Sequence, residues 1–187
     1  MNRKTLFGLL LAIIAMSGLF TVNAHAQKMP NAVVAVIDMQ RIVKESLAGA
    51  NIKLQLDKYR GALQTKVAAI EDSLRKEEAE LKRQQRLLAP DVFQEKYRAF
   101  QRKVTDTRRR LRERQRQLEQ GVGVARRTLL NEIRTIVSEM ASKRGINLVQ
   151  VSAQLVFFDG RLDITGEVMK ILNKRLPKVN VPKPADL

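Results

Sequence analysis

Two long series of apolar residues, separated by a proline, constrain the fold of this chain more than any other feature. The first series runs from Ile52 to Leu88 and the second from Phe93 to Met140, with apolar residues recurring three or four positions apart. The mean step of about 3.5 residues is typical of helices that pack along a coiled-coil seam. The pattern therefore predicts two long helices.

Pro90 lies between the two series. Proline disfavours helical geometry at the residue before it, here Ala89, but suits the first turn of a new helix. We therefore expect an antiparallel helical hairpin, the arm, over residues 51–144, with its tip near residues 88–92. The alternative is one continuous helix in a parallel coiled coil, which Pro90 disfavours because proline breaks helix interiors.

Short segments of β-type sequence flank the arm. The β-branched run at residues 32–38 is too short for a helix and predicts a buried strand within a first head segment, residues 27–50. Gly145 follows two cations and is typical of a helix end. Beyond it, Leu148–Val151 and Leu155–Phe158 predict two more strands.

A second head segment, residues 145–176, completes the predicted fold. Asp163 or Thr165 begins a final amphipathic helix. Proline-rich polar sequence at residues 177–187 predicts a disordered tail. The fold class is mainly α, with a small α+β head and a long antiparallel coiled-coil hairpin inserted between the N-terminal and C-terminal strands.

Three short strands are marginal alone and leave open edges. We therefore expect an obligate oligomer in which these edges pair between identical subunits. Residue patterns alone leave the number of subunits open. The predicted oligomer contacts in the head are apolar strand residues: Val34, Val36, Ile37, Leu148, Val149, Leu155 and Val156.

The N-terminus has the pattern of an export signal. Arg3-Lys4 precedes the apolar stretch Leu6–Phe20, and Ala24-His25-Ala26 gives the small-x-small pattern of a cleavage site. The apolar stretch is shorter than the roughly 20 residues of a spanning helix, which disfavours an uncleaved anchor. We therefore expect a signal peptide over residues 1–26, cleavage near Ala26-Gln27 and an exported mature protein.

Cleavage would also remove most options for catalysis. His25 is the single histidine of the chain, which has no cysteine. The mature protein would lack the imidazole and thiol groups of common nucleophilic and zinc sites. The carboxylates outside the arm show no recognisable catalytic spacing. The sequence predicts a protein that is not an enzyme and that uses no cofactor and no metal.

Positive charge is concentrated in residues 82–116, called the distal arm below. Without residues 1–26 the chain has 33 basic and 19 acidic residues, a net charge of +14. The distal arm has 13 basic and four acidic residues, a net charge of +9, whereas residues 117–142 sum to zero. The 13 are predicted to bind an acidic partner protein or an anionic surface: Lys82, Arg83, Arg86, Lys96, Arg98, Arg102, Lys103, Arg108, Arg109, Arg110, Arg112, Arg114 and Arg116.

Two smaller sets of arm residues are further candidates. Apolar residues at the tip are predicted to contact the same partner protein: Leu87, Leu88, Val92 and Phe93. If the chain folds back at residue 90, the numbers of facing positions sum to about 179, which places Gly61, Gly121 and Gly123 at one level. Glycine destabilises helix interiors by about 1 kcal/mol, so we expect a hinge there.

Several segments resemble the Skp (OmpH-like) periplasmic chaperone family. They are Ala35–Ile42, Ile146–Val149, Leu155-Val156 and Leu162–Thr165, arranged around the long charged hairpin. The resemblance covers the mature chain to about Leu176. It implies a homotrimer in which an intersubunit β-barrel carries three arms, and an ATP-independent holdase that keeps unfolded outer-membrane proteins soluble in transit.

The predicted partners follow from this resemblance and from the charge. They are unfolded outer-membrane β-barrel proteins, further copies of the chain, and lipopolysaccharide or another anionic membrane surface. The alternative is a periplasmic structural or adaptor coiled coil that binds one folded envelope partner or lipopolysaccharide. Nucleic acid is the usual partner of a basic protein, but export argues against it as a physiological one.

Overall fold

The structure, a computed structural model, describes residues 30–185, so the predicted signal peptide lies outside the described residues. The mainly helical fold with a small sheet is confirmed, while the trimer and the intersubunit barrel stay predictions. The elements in chain order are β1 (Val34–Ile37), α1 (Met39–Glu45), α2 (Leu47–Gln84), α3 (Pro90–Arg144), β2 (Leu148–Val151) and α4 (Thr165–Arg175).

Helices α2 and α3 pack side by side in antiparallel directions. Lys96 Nζ donates to Gln84 Oε1 at 2.8 Å, and Lys103 pairs with Glu77. The numbers of the facing residues add up to 180 in both pairs, one more than the sequence predicts. At about 1.5 Å per residue, the 38 residues of α2 and the 55 of α3 give an arm more than 50 Å long.

The arm begins at Leu47, four residues earlier than predicted. Ser46 caps α2, with its Oγ accepting a hydrogen bond from Gly49 N at 3.1 Å. A Cβ at Gly49 would lie 1.8 Å from Val43 O, so this sharp turn between α1 and α2 requires glycine. Ala48, Gly49 and Ala50, which the sequence places in the first head segment, therefore belong to the first turn of the arm.

The tip loop is Gln85–Ala89, slightly before the predicted residues 88–92. Pro90 is not in the loop, because it occupies the first turn of α3, where a missing N–H costs nothing. At the other end of α3, Gly145 adopts a left-handed conformation with φ of 68° and donates to Ala141 O, as predicted for a helix stop.

The sheet contains two parallel strands, with Val34 paired to Leu148 and Ile37 to Val151. The third predicted strand, Leu155–Phe158, is wrong for this chain: the segment is irregular, and a 3₁₀ turn at Ser152–Gln154 ends β2 just before it. Strand formation depends on neighbouring strands, and no described strand lies beside this segment.

The core of the head is built around the C-terminal part of α3. Leu129, Ile133 and Ile136 are at most 1% exposed and belong to one cluster with Val168 and Leu172 of α4. Each of these five side chains contributes about 1.5 to 3 kcal/mol by its burial. Helix α3 therefore forms one half of the helical hairpin and, with its C-terminal part, the centre of the head core.

The predicted disordered tail is wrong for most of its length. Residues 178–185, called the strap below, pack against the base of the arm, and Val179 and Val181 are 6% and 0% exposed. Prolines prevent a helix here, but they permit an extended segment, and valines at alternate positions give that segment one apolar side. Composition indicated the absence of a helix and missed this packing.

Candidate functional site

The arm tip exposes apolar side chains. Leu87 and Val92 are 82% and 41% exposed, whereas Leu88 and Phe93 are partly buried. The ring of Phe93 lies 6.1 Å from that of Tyr97, at an interplanar angle of 23°. Tyr97, 47% exposed, was assigned to the helix seam by its spacing. Its exposure indicates a further contact residue that spacing alone could not identify.

The structure exposes twelve of the 13 predicted basic residues, and Arg114 is partly buried. Some of them have acidic neighbours: Lys82 lies 2.8 Å from Glu78, and Arg109 lies 3.3 Å from Asp106. Among the described residues, no carboxylate lies within 4.0 Å of Arg108 or Arg110. The distal arm therefore presents a positive surface that its own acidic residues only partly neutralise.

Ion pairs move the pKa values of several arm residues further from neutrality. A hydrogen bond from Arg116 lowers the pKa of Glu113, and a hydrogen bond to Glu78 raises the pKa of Lys82. These side chains are largely exposed, so solvent screens the interactions and their contribution to stability is small.

The head brings together some of the predicted oligomer contacts and separates others. Val36 and Ile37 are buried within the chain's own core, at 1% and 2% exposure. Leu148 is 42% exposed, and Val156 is fully exposed at 108%. Phe157, not predicted, is 86% exposed beside it. Because β1 lies between β2 and Asp163, the outer edge of β2 has no strand partner in residues 30–185.

The three glycines of the predicted hinge have different surroundings. Gly61 and Gly123 lie in helix interiors. An added Cβ would meet no atom within 4 Å at Gly61 and only Arg127 Nη1, at 3.6 Å, at Gly123. At Gly121 an added Cβ would lie 2.9 Å from Pro182 O of the strap. Gly121 therefore makes room for the strap, a role independent of helix flexibility.

Residues 30–185 contain no group of three or more acidic, histidine or cysteine side chains placed to hold a metal ion. Within the same residues, every helix is too short or too polar to cross a membrane.

Fold and surface together define one class of protein: a small α+β head that carries a long, cationic helical hairpin. The chain belongs to the OmpH-like family, because the family model described as outer membrane protein (OmpH-like) matches residues 33–172. This confirms the family resemblance drawn from the sequence.

A solved structure supports the same fold. A protein from Caulobacter crescentus CB15, described as an OmpH-like outer membrane chaperone, superimposes with a TM-score of 0.75 at 18% sequence identity. The match covers 86% of this chain and 94% of that protein. The search of curated proteins gave no significant match.

Proposed function

We propose that this protein is a periplasmic, ATP-independent holdase that binds unfolded outer-membrane proteins against its arm and prevents their aggregation. The observation that carries the proposal is the distal arm, which combines exposed cations with exposed apolar residues in a member of the OmpH-like family. An unfolded β-barrel protein offers complementary groups, since it exposes apolar strand residues together with charges.

The two kinds of arm side chain have separate roles in this proposal. Uncompensated cations such as Arg108 and Arg110 accelerate the encounter with an acidic client through long-range attraction, which salt screens. Apolar side chains at the tip, including Leu87, Val92 and Tyr97, then make short-range contacts. The same positive surface would attract lipopolysaccharide or an anionic membrane surface.

The functional unit that we propose is a homotrimer with an intersubunit β-barrel. The open edge of β2 and the exposed apolar pair Val156 and Phe157 support association through the head. An exposed strand edge and large exposed apolar side chains are features that subunit contacts normally cover. Arms projecting from one such head would surround a cavity for the client.

An aggregation assay tests the proposal. A urea-unfolded β-barrel membrane protein is diluted into buffer with the chain from Gln27 onward, without nucleotide, and light scattering is followed. We expect suppression that saturates at three chains per client. Unchanged scattering at every ratio, together with tight binding of one folded envelope protein, would instead support the adaptor function.

A further inference from the structure

The strap lies in a groove at the base of the arm, beyond the family match, which ends at residue 172. Val179 and Val181 are buried, whereas Asn180 between them is exposed. This alternation is that of an extended segment with one apolar side. The strap is therefore bound in the manner of a strand, although it belongs to no sheet.

Gln55 of α2 binds the main chain of the strap. Its Nε2 donates to Val179 O at 2.8 Å, and its Oε1 accepts from Val181 N at 3.0 Å. These two backbone groups flank one residue and lie on the same side of an extended chain, as in a hydrogen-bonded strand pair. Asn51 Oδ1 accepts from the same Nε2 at 2.7 Å and orients the amide. The glutamine thus recognises an extended backbone whatever its side chains are.

The walls of the groove also suit a main chain. Tyr59 donates through its hydroxyl to Val181 O at 3.4 Å. Gly121 of α3 lets Pro182 O approach to a distance that no Cβ would permit. An apolar hollow lined by Tyr59, Leu63 and Leu118 continues alongside the last strap residues. The groove combines backbone hydrogen bonding, close approach and apolar contact.

We propose that this groove is a binding site for extended segments with apolar residues at alternate positions, and that the strap is its resident occupant. The inference rests on the proposed function for the identity of the partner, an unfolded β-barrel membrane protein. Transmembrane strands alternate apolar and polar residues, so such a client carries the pattern that the strap imitates.

The covalent attachment of the strap sets a threshold for displacement. A tethered segment competes at an effective concentration of the order of millimolar. A single short peptide displaces it poorly, whereas a client with many alternating segments displaces it well. The strap therefore covers the groove until a long unfolded chain arrives.

Four full-length variants separate occupancy of the groove from its capacity to bind. Val179→Asp combined with Val181→Asp releases the strap, because buried carboxylates without partners are unfavourable, and leaves the groove open. Gly121→Ala releases the strap and blocks the groove with a methyl group. Gly123→Ala is the matched control in the same helix, and the triple variant combines release with blocking.

The probe is a fluorescein-labelled peptide of ten residues that alternates valine and serine, with binding followed by anisotropy. We expect the release variant to bind it about tenfold more tightly than the parent, since the tethered competitor is gone. The triple variant should return to the weak binding of the parent, and Gly123→Ala should match the parent. A peptide of the same composition with all five valines in one block should bind weakly.

Two results would contradict the proposal that the groove binds extended segments. One is equal affinity of the parent, the release variant and the triple variant; the other is equal binding of the alternating and the block peptide. Circular dichroism checks that each variant folds. If the double aspartate variant does not fold, Val181→Ser replaces it. Hydrogen exchange at the Val181 amide tests release of the strap independently, and it must be faster in Gly121→Ala than in Gly123→Ala.

The aggregation assay on the same proteins separates this inference from the proposed function. Suppression of aggregation by the parent, without any effect of Gly121→Ala on peptide binding by the release variant, would refute the groove proposal and leave the holdase function standing. Peptide binding that depends on the groove, without any suppression of aggregation, would refute the holdase function and leave the groove proposal standing.

Discussion

Helix α3 runs through two regions of opposite character. Leu129, Ile133, Ile136 and Met140 are buried by α4 and other head segments, and residues 117–142 carry no net charge. In the distal arm, where α2 is its neighbour, Val104 and Leu111 are partly exposed and the net charge is +9. One periodic pattern therefore builds a stable core at one end and a solvated, cationic surface at the other.

The largest expected effect is on the free energy of unfolding, which replacement of leucine by alanine should lower much more in the head core than at the arm tip. Leu129→Ala in the head core should lower the free energy of unfolding by about 2 to 5 kcal/mol, because it leaves a cavity at a fully buried site. Leu87→Ala at the tip, where the side chain is 82% exposed, should change it by less than about 0.5 kcal/mol. Urea denaturation followed by circular dichroism measures both. Equal losses would show that the tip is covered by packing that the single chain does not reveal.

The positive charge of the distal arm should affect the rate of client capture more than the positive charge at the base of the arm. Replacing Arg108, Arg109 and Arg110 with glutamine should slow capture of an unfolded β-barrel protein several-fold at low salt, because these cations attract an acidic client over a distance. The difference should disappear in about 1 M salt, where the screening length is about 3 Å. Stopped-flow fluorescence of a labelled client measures the rate.

The matched control removes three cations from the base of the same helix, Arg126, Arg127 and Arg134, which are also exposed. We expect little change in the capture rate. If both triple variants slow capture equally, total charge matters and its position on the arm does not.

How far the sequence specified each region depended on whether the signal was local. The two arm helices, Pro90 in the first turn of α3 and the stop at Gly145 followed from periodicity and from residues with fixed backbone preferences. The surface positions of the distal arm followed too, since a segment with 13 basic and four acidic residues stays solvated. Such features are decided within a few residues.

Features decided by distant partners were missed. The burial of Val179 and Val181 depends on Gln55 and Gly121, which are far away in the chain. The segment at Val156 has β-type sequence but lacks a neighbouring strand in residues 30–185.

The glycines give a smaller test, in which two positions should behave alike and the third differently. Gly61→Ala and Gly123→Ala should each stabilise the protein by up to about 1 kcal/mol, because alanine favours helices and an added Cβ makes no close contact. Gly121→Ala should lose this gain, because the strap is displaced. Thermal unfolding measures the three variants.

The same substitutions test the proposed hinge. If the glycines allow the arms to separate, the range of arm spacing in small-angle scattering should narrow when all three are alanine. An unchanged range of arm spacing would refute the hinge, and Gly121 would then have only its packing role.

The smallest expected effect concerns ion pairs and acid. Arg175 lies 2.6 Å from Glu139 and joins α4 to α3, and its hydrogen bond lowers the pKa of Glu139. A carboxyl group whose pKa is lower in the folded state stabilises the fold above its unfolded pKa, about 4.3, and loses this contribution as the pH falls through the folded value. Glu139→Gln should therefore lower the urea midpoint at pH 7 slightly, with a difference from the parent that vanishes at low pH.

Glu113→Gln is the matched change in the distal arm. Glu113 also has a lowered pKa, but its partner Arg116 is three residues away in the same helix, so the pair joins no separate elements. Its loss should change the global urea midpoint less than the loss of Glu139. Equal effects would mean that the distal arm unfolds together with the head as one cooperative unit, and that the two regions differ in surface chemistry but not in how stability is distributed.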